Sequence, residues 1–251
     1  MYMYILTASD TEYVVVRRKK QLALLNDAEV NMNKITTAKE ALSHVKDGDT
    51  VMVGGFLQCG SPEYLLSEFV GHPARNLTIV NNDMGIPTSS LTKILDAGQV
   101  SDLICTYIAQ NEAAQRMYKE NPACLHINPQ GTLTERIRCG GFGIAAFYTP
   151  TGVGTIVEEG KEVREFNGKK YLMETALRGN VGIISASVVD EFGNCYMKGT
   201  SKNYNAAIAT ACDYVVVEAD ELVPVGAIDP DLVTVSGIYI NAIVVAPKED
   251  K

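Results

Sequence analysis

The chain has 251 residues, of which 46% are hydrophobic and 21% charged, so it is long and apolar enough to bury a core and is typical of a globular protein. Its net charge of −8 argues against a nucleic-acid partner, because phosphate backbones are bound by clustered Lys and Arg, and the one basic run is residues 17–20. No apolar stretch reaches the roughly 18 residues of a membrane span and no secretory signal is recognisable, which indicates a cytoplasmic protein.

The first residues differ from the rest of the chain. The segment that begins at Met32 has the character of a natural protein start. We therefore expect residues 1–31 to be either a family-specific extension or the product of a misassigned start, and residues 32–251 to form a single α/β domain.

Helix and strand signals alternate from Thr37 onwards. Thr37 and Glu40 form a capping box for a first helix. After a strand at 51–53, Ser61 is predicted to cap a second helix, with Pro62 in its first turn and Gly71 at its end. Strands follow at 77–80, 102–109 and 125–127, and helices near 91–96, 112–119 and 133–138. This rhythm predicts one open, mostly parallel sheet flanked by helices.

Past Gly140 the alternation gives way to a glycine-rich stretch, which predicts a β excursion from the main sheet. Asn167 and Gly168 stand between two alternating segments and predict a β-hairpin with a two-residue turn. Regular strands resume at 181–189, 214–218 and 239–245.

Two glycines end the first strand, Gly54 and Gly55. Ligands bind open α/β sheets at the carboxyl ends of the strands, where glycine lets a backbone N–H approach a substrate oxygen. A purely structural explanation, that both residues only make a tight turn, stays open.

Metal and disulfide sites are not indicated. The six cysteines have no C-x-x-C pair and no histidine at metal-ligand spacing, so we expect reduced thiols and no bound metal. The three histidines, His44, His72 and His126, are dispersed, and none is assigned a catalytic role.

The segment DGDTVMVGGFLQCGSP, residues 47–62, resembles the signature of family I coenzyme A transferases. Residues 81–83 (NND), 127–155, 163–177 and 202–205 (KNYN) are similar to the α subunit of acetate, butyrate or succinyl:3-oxoacid CoA-transferases. The resemblance runs from about Met32 nearly to the C-terminus.

The resemblance implies a ping-pong transfer in which a glutamate carries coenzyme A as a thioester, with coenzyme A as a substrate and with no metal or redox cofactor. The family's nucleophile lies in a Ser-Glu-Asn-Gly motif, which is absent from these 251 residues. The resemblance therefore implies no catalytic nucleophile on this chain and a β-subunit partner that supplies it, in an α2β2 or larger assembly.

The resemblance also implies roles for residues at the strand ends. Gly54, Gly55 and Phe56 would shape the pocket wall and offer N–H groups to an oxyanion. Asn81 and Asn82 would bind the carboxylate of the acid substrate, unless their side chains only cap a turn.

Two further pairs are candidates. Gln110 and Asn111 follow the third strand and are expected to contact substrate. Lys202 and Asn203 are expected to meet the partner chain or a coenzyme A phosphate, and a solvated loop is the alternative for them.

Two residues depart from the family pattern, Phe142 and Ala145, and they put the shape of the pocket or its lid in doubt. By resemblance, acetate or butyrate with acetoacetate is the preferred pair of acids, and succinate is the alternative donor.

Two rival functions are weighed. Residues 141–146 fit the loose dinucleotide fingerprint G-x-G-x-x-A. That motif needs a strand before it and a helix that opens at it, whereas here the predicted helix 133–138 precedes it and the residues that follow cannot start a helix. A non-catalytic ligand-binding module on the same kind of sheet is the other alternative.

Overall fold

The computed structural model describes residues 33–247. The expected extension, residues 1–31, lies outside the described residues. Within the described range there are six α-helices: α1 (Ala38–Leu42), α2 (Glu63–Phe69), α3 (Ser90–Asp96), α4 (Glu112–Glu120), α5 (Gln130–Gly141) and α6 (Asn203–Ala211).

The strands of the same range form three sheets. They are β1 (Thr50–Val53), β2 (Leu77–Val80), β3 (Val100–Cys105), β4 (Leu125–Ile127), β5 (Ala146–Thr149), β6 (Val163–Phe166), β7 (Lys169–Thr175), β8 (Gly179–Ala186), β9 (Val188–Asp190), β10 (Cys195–Tyr196), β11 (Cys212–Ala219), β12 (Leu222–Val223) and β13 (Ala242–Val245).

The main sheet has seven strands in the order β13-β11-β8-β1-β2-β3-β4. Every neighbouring pair in it is parallel. Parallel neighbours need crossover connections, and α2, α3 and α4 supply them between β1 and β4. The predicted open, parallel sheet with flanking helices is confirmed.

The core lies on both faces of this sheet. Side chains alternate along β1, so that Val51 and Val53 pack on one face and Met52 on the other. Helices α1 to α4 cover the first face, and α5 and α6 cover the second. The strands are buried on both sides, which is why they are continuous apolar runs in the sequence.

The glycine-rich excursion forms an antiparallel sheet in the order β5-β7-β6. Its β6–β7 turn is Asn167-Gly168, with φ of 51° and 76°. Positive φ at both central residues is the type I′ geometry that suits the twist of a hairpin, so the hairpin prediction is confirmed.

Several predicted boundaries are wrong. Ser61 does not cap α2; Pro62 occupies the N-cap position and no side chain accepts a bond there. The third strand ends at Cys105 rather than at 109, and the predicted strand 181–189 is divided, because Ser187 separates β8 of the main sheet from β9 of a small sheet ordered β10-β9-β12.

Helix α5 lies where a helix was expected but is longer, and helix α6 was not predicted. α5 extends to Gly141, so a helix rather than a strand precedes the dinucleotide-like residues, as the sequence indicated. α6 occupies the segment that was considered a possible loop. Tyr239 closes a 3-10 turn, Gly237–Tyr239, and β13 begins only at Ala242.

Within residues 33–247, no helix is both long and apolar enough to cross a membrane. All six cysteines lie in this range as free thiols, and Cys59 is the exposed one.

Candidate active site at the carboxyl end of the parallel sheet

The direction of strand addition reverses beside β1. The chain adds β2, β3 and β4 on one side of β1 and later adds β8, β11 and β13 on the other. Open α/β sheets bind ligands outside the carboxyl ends of the strands at such a reversal. The loops that follow β1 and β2 are therefore the candidate site.

Gly54 is required by a neighbouring side chain. A Cβ at this position would overlap Oδ1 of Asn205, on α6. The Gly54 N–H is also occupied, because it donates to the carbonyl oxygen of Ile183 at 3.0 Å and so continues the sheet. This N–H is therefore bonded within the chain, while Gly54 itself lines a small cavity beside Asp83; its predicted part in the pocket wall stays a prediction.

Gly55 has a different environment. Its φ is 104°, a conformation that only glycine adopts without strain, and an added Cβ would lie 3.1 Å from the Cα of Ser61. Its backbone N–H makes no hydrogen bond to any residue in the described range. Gln58 and Gly60 are the other residues of this loop whose N–H groups make no such bond, and of the three Gly55 directly follows the end of the sheet.

A tight turn follows at residues 56–59. The N–H of Phe56 donates to Cys59 at 3.1 Å and the N–H of Cys59 donates back at 2.9 Å, so the Phe56 N–H is not available either. Leu57 and Gln58 have φ of 44° and 68°, which is type I′ geometry without a glycine. Such residues add roughly 1 kcal/mol of strain each, and strain of this kind concentrates at functional sites.

Asn81 and Asn82 have structural roles in this chain. Nδ2 of Asn81 donates to the carbonyl of Val53 at 3.0 Å, and its Oδ1 accepts the N–H of Met84 at 2.8 Å. Asn82 is fully buried, and its amide bonds Asp83 and Thr106. Both side chains therefore hold the loop after β2 in place, and their predicted contact with the acid substrate stays a prediction.

Asp83 was missed as a site residue, although it completes the NND segment. It is 2% exposed and accepts hydrogen bonds from the N–H groups of Leu57, at 2.9 Å, and Gly85, at 3.0 Å. Burial, with a contribution from the charge of Asp83, raises the pKa of the nearby Cys105 thiol to about 12. The signal that was present is an acidic residue at a strand end in a sheet of this type.

Gln110 and Asn111 differ in burial, although they are neighbours in the chain. Asn111 is buried as the N-cap of α4, where its Oδ1 accepts the N–H of Ala114 and its Nδ2 donates to Met84 and Thr92. Asn111 thus has a structural role, and its predicted substrate contact stays a prediction. Gln110 is exposed in the turn before α4.

Lys202 and Asn203 lie beside the turn after β1. Lys202 is exposed at the end of a 3-10 turn, and Asn203 begins α6, with its Nδ2 donating to the carbonyl of Cys59 at 2.9 Å. An open groove of about 560 Å³ is lined by Phe56, Leu57, Cys59, Thr200 and Asn203. A far smaller cavity of about 10 Å³, room for about one water, lies behind it between Gly55 and Asp83.

Phe142 and Ala145 lie away from this site. Both follow the C-terminus of α5, where Gly140 packs on Leu177 just before β8 begins and Gly141 packs on Thr210 near the end of α6. That is the amino-terminal edge of the sheet. Neither residue lines the groove or the small cavity.

A second concavity, about 440 Å³, lies between β4 and the excursion. Arg136 spans it by donating to Asn128 at 2.6 Å and to the carbonyl of Thr175 at 2.8 Å, and Lys161 pairs with the buried Glu174 at 2.6 Å. The bond from Arg136 to Thr175 joins the main domain to the excursion, and the pair Lys161–Glu174 lies within the excursion. Among residues 33–247, no group of His, Cys, Asp and Glu has metal-site geometry.

Comparison with known sequences gives a consistent result. A family model described as coenzyme A transferase matches residues 35–246. The chain is 41% identical over 221 residues to one of the subunits of the succinyl-CoA:3-ketoacid coenzyme A transferase of Helicobacter pylori, a match that covers 88% of this chain and 95% of that protein. It is 40% identical over 215 residues to the alpha subunit of the acetoacetyl-CoA:acetate/butyrate CoA transferase of Clostridium acetobutylicum, covering 86% and 99%.

Among solved structures, an acyl-CoA transferase apoenzyme from Escherichia coli O157:H7 superposes with a TM-score of 0.77 at 20% identity. The match covers 85% of this chain and 47% of that one, so this chain spans about half the length of that structure. At this identity the likeness concerns the fold.

Proposed function

The chain belongs to the coenzyme A transferase family, and from that membership we propose that it is the α subunit of an enzyme that moves coenzyme A between a short-chain acyl-CoA and a carboxylic or 3-oxo acid. Acetate or butyrate with acetoacetate is the preferred pair, and succinate is the alternative donor acid. The two sequence relatives differ in this respect while their identities, 41% and 40%, are nearly equal. Substrate choice therefore has to be measured.

The proposed reaction proceeds through two covalent intermediates on one glutamate. Its carboxylate attacks the acyl-CoA carbonyl, which forms an acyl-glutamyl anhydride and releases the coenzyme A thiolate. The thiolate attacks the glutamyl carbonyl, giving a glutamyl-CoA thioester and the free donor acid. The acceptor acid then reverses these steps and leaves as its CoA ester. Each step transfers one acyl group, so the sequence needs no metal or redox cofactor.

We place that glutamate on a β subunit. The observation that supports this placement is the state of Asp83, the acidic residue that lines the small cavity beside Gly55: it is 2% exposed and its two oxygens already accept three hydrogen bonds. A nucleophile has to be accessible to its substrate, so Asp83 is unsuited to the role. The unused N–H of Gly55 is the donor this chain would offer to the tetrahedral oxyanion.

The test is to assay the chain alone and together with its β chain. We expect no acetoacetyl-CoA from acetyl-CoA and acetoacetate with the chain alone, and turnover on mixing the two. Acetyl-CoA, butyryl-CoA and succinyl-CoA compared at matched concentrations then identify the donor. Turnover by a homogeneous preparation of this chain alone would refute the divided site.

Trapping identifies the nucleophile directly. The complex is incubated with acyl-CoA without acceptor, the thioester is reduced with borohydride, and both chains are mapped by mass spectrometry. We expect the reduced glutamate in the β chain. A modified carboxylate in this chain would overturn the assignment.

A further inference from the structure

Asp83 is a buried carboxylate without a cationic partner. It is 2% exposed, and no Lys, Arg or His of the described residues forms an ion pair with it. Taking an unpaired charge out of water is costly unless hydrogen bonds replace the water. Three donors do so here: the backbone N–H groups of Leu57 and Gly85 and the Nδ2 of Asn82.

The two backbone donors belong to different loops, and both loops are strained. After β1, Leu57 and Gln58 have positive φ; after β2, Met84 and Gly85 have φ of 60° and 79°. Oδ2 of Asp83 accepts from the first loop and Oδ1 accepts from the second. One carboxylate therefore joins two strained backbone segments. Without it, we expect each segment to relax to a different backbone conformation.

Gly55 lies at the base of the first of these loops. The loop is held on one side by the Gly54 bond to Ile183 and on another by Asn203, which donates to Cys59. Asn205 also holds it, by donating to the carbonyl of Gly60. On the side of β2, Asn81 donates to the carbonyl of Gly54 at 3.4 Å, and Asp83 accepts the N–H of Leu57 at 2.9 Å. The bond from Leu57 to Asp83 is the tie on this side that lies beyond Gly55, so the direction of the Gly55 N–H depends on it.

We propose that Asp83 is a positioning residue, which couples the loops after β1 and β2 and thereby sets the direction of the Gly55 N–H. The activity readout of this inference rests on the proposed function; the coupling itself does not. Asp83 touches no reacting atom and acts through Leu57.

The test variant is Asp83→Asn in the complex with the β chain. Asparagine offers one acceptor oxygen, so whichever way its amide turns, one of the two loops faces an N–H group and loses its tie. We expect turnover per assembled complex to fall about 10- to 100-fold, the loss typical of a small misplacement near the reacting atoms, with little change in KM.

Asp190→Asn is the matched control. Asp190 is also 2% exposed and also accepts from two backbone N–H groups, those of Phe192 and Asn194, and from an asparagine Nδ2. It lies at the end of β9 in a small sheet. Both of its backbone donors bond the same oxygen, Oδ1, so the asparagine can keep both bonds. We expect a smaller loss of melting temperature than in Asp83→Asn, and normal turnover. Equal turnover losses in the two variants would overturn the proposal.

Rescue distinguishes positioning from general stability. Leu57→Gly in the Asp83→Asn background removes the penalty for positive φ, so the turn can hold its geometry without the carboxylate. We expect most of the lost turnover to return while the melting temperature stays low. Turnover that stays as low as in Asp83→Asn would count against the proposal.

Amide hydrogen exchange tests the coupling without an activity measurement, by comparing the wild type with the two variants. If one carboxylate holds both loops, Leu57 and Gly85 have matching protection, and Asp83→Asn lowers both together while Asp190→Asn lowers neither. Unprotected Leu57 in the wild type would refute the coupling. A wild-type complex that shows this exchange pattern but no transfer would instead refute the proposed function.

Discussion

At the scale of single residues, the contact between Gly54 and Asn205 explains a glycine that the sequence could only identify as unusual. Asn205 is fully buried; its Oδ1 accepts the N–H of Ser185 at 3.1 Å and its Nδ2 donates to the carbonyls of Gly60 and Ser201. The amide of Asn205 thus joins α6 to the loop after β1 and to the carboxyl end of β8. Gly54 makes room for it.

Gly54→Ala should therefore destabilise the fold by about 1–3 kcal/mol, the range for overpacking. Asn205→Ala removes the overlapped atom, so the double variant should be more stable than the sum of the two single losses by about 1 kcal/mol. Thermal melting of all four proteins measures the coupling. Asn203→Ala paired with Gly54→Ala is the control and should be additive; additivity in both pairs would show that Asn205 does not determine the glycine.

Gly55 is predicted to matter for turnover rather than for stability alone. Its positive φ strains any other residue, and its N–H is the proposed oxyanion donor, so Gly55→Ala should lower turnover of the complex by roughly 10²- to 10³-fold. Gly48→Ala is the control: Gly48 has φ of 79°, nothing within 4 Å of its added Cβ, and no place in the site. It should lose about 1 kcal/mol of stability and keep its turnover. Normal turnover in Gly55→Ala would show that this glycine only shapes the turn and that its N–H is not the oxyanion donor.

The sequence predicted which loops form the candidate site, but not which atoms of those loops are available. Local patterns locate strand ends, and Gly54, Gly55, Asn81 and Asn82 do follow β1 and β2. Whether an N–H or an amide is already bonded depends on partners far along the chain, such as Ile183 for Gly54. Those partners are invisible to local reasoning.

At the scale of elements, prediction succeeded where the residue period was clear. The parallel strands are buried on both faces and appear as apolar runs, and the 167–168 turn has a two-residue signature. Helix α6 was missed because it packs between the sheet and α5, so apolar and small residues surround its axis and the helical period is weak. Its buried residues are Tyr204, Asn205, Ile208, Ala209 and Ala211.

One contact between elements is predicted to make stability depend on pH. Glu218 of β11 is 5% exposed and accepts the N–H of Leu65, in the first turn of α2, at 2.7 Å. Burial raises its pKa from 4.5 to about 7, although the bonds from Leu65 and Tyr64 act in the opposite direction. The folded chain therefore holds this proton at pH values where the unfolded chain has lost it.

Stability should accordingly fall as the pH rises through the window from about 4.5 to about 7 and level off above it, with a total change of ~3 kcal/mol from this group. Glu218→Gln keeps an acceptor for Leu65 and should remove this fall, which raises the melting temperature at pH 8 relative to the wild type. Glu68 is an exposed residue of α2, the helix that also contains Leu65, and Glu68→Gln should leave the pH profile unaltered. Parallel profiles for Glu218→Gln and the wild type would contradict the assignment.

At the scale of the whole molecule, the βαβ rhythm predicts a parallel sheet but not the order of its strands. That order results from contacts across the sheet, and it puts the reversal beside β1, where the groove opens. Five residues of this chain line a groove of about 560 Å³, so much of its boundary is open to solvent or to another protein. Under the proposed function the β subunit completes this groove.

Cys59 offers a direct test of that closure. It is the exposed thiol among the six, it lines the groove, and it lies in the same turn as Leu57. The other thiols are buried or half-buried, and burial raises the pKa of Cys105, Cys195 and Cys212 to about 12, so few of them are thiolates at neutral pH.

The isolated native chain should therefore react with one equivalent of an alkylating reagent quickly, and Cys59→Ser should abolish that fast phase. Adding the β chain should slow the alkylation of Cys59 at least about tenfold, because a partner that covers the groove excludes the reagent from it. Mass spectrometry of the modified peptide identifies the thiol that reacts. As a control, Cys59→Ser is mixed with the β chain to measure whether the thiol itself is needed for assembly. A stable, active complex in which Cys59 reacts as fast as in the free chain would show that the β subunit binds elsewhere and that the groove beside Gly55 is not where the two chains build their site.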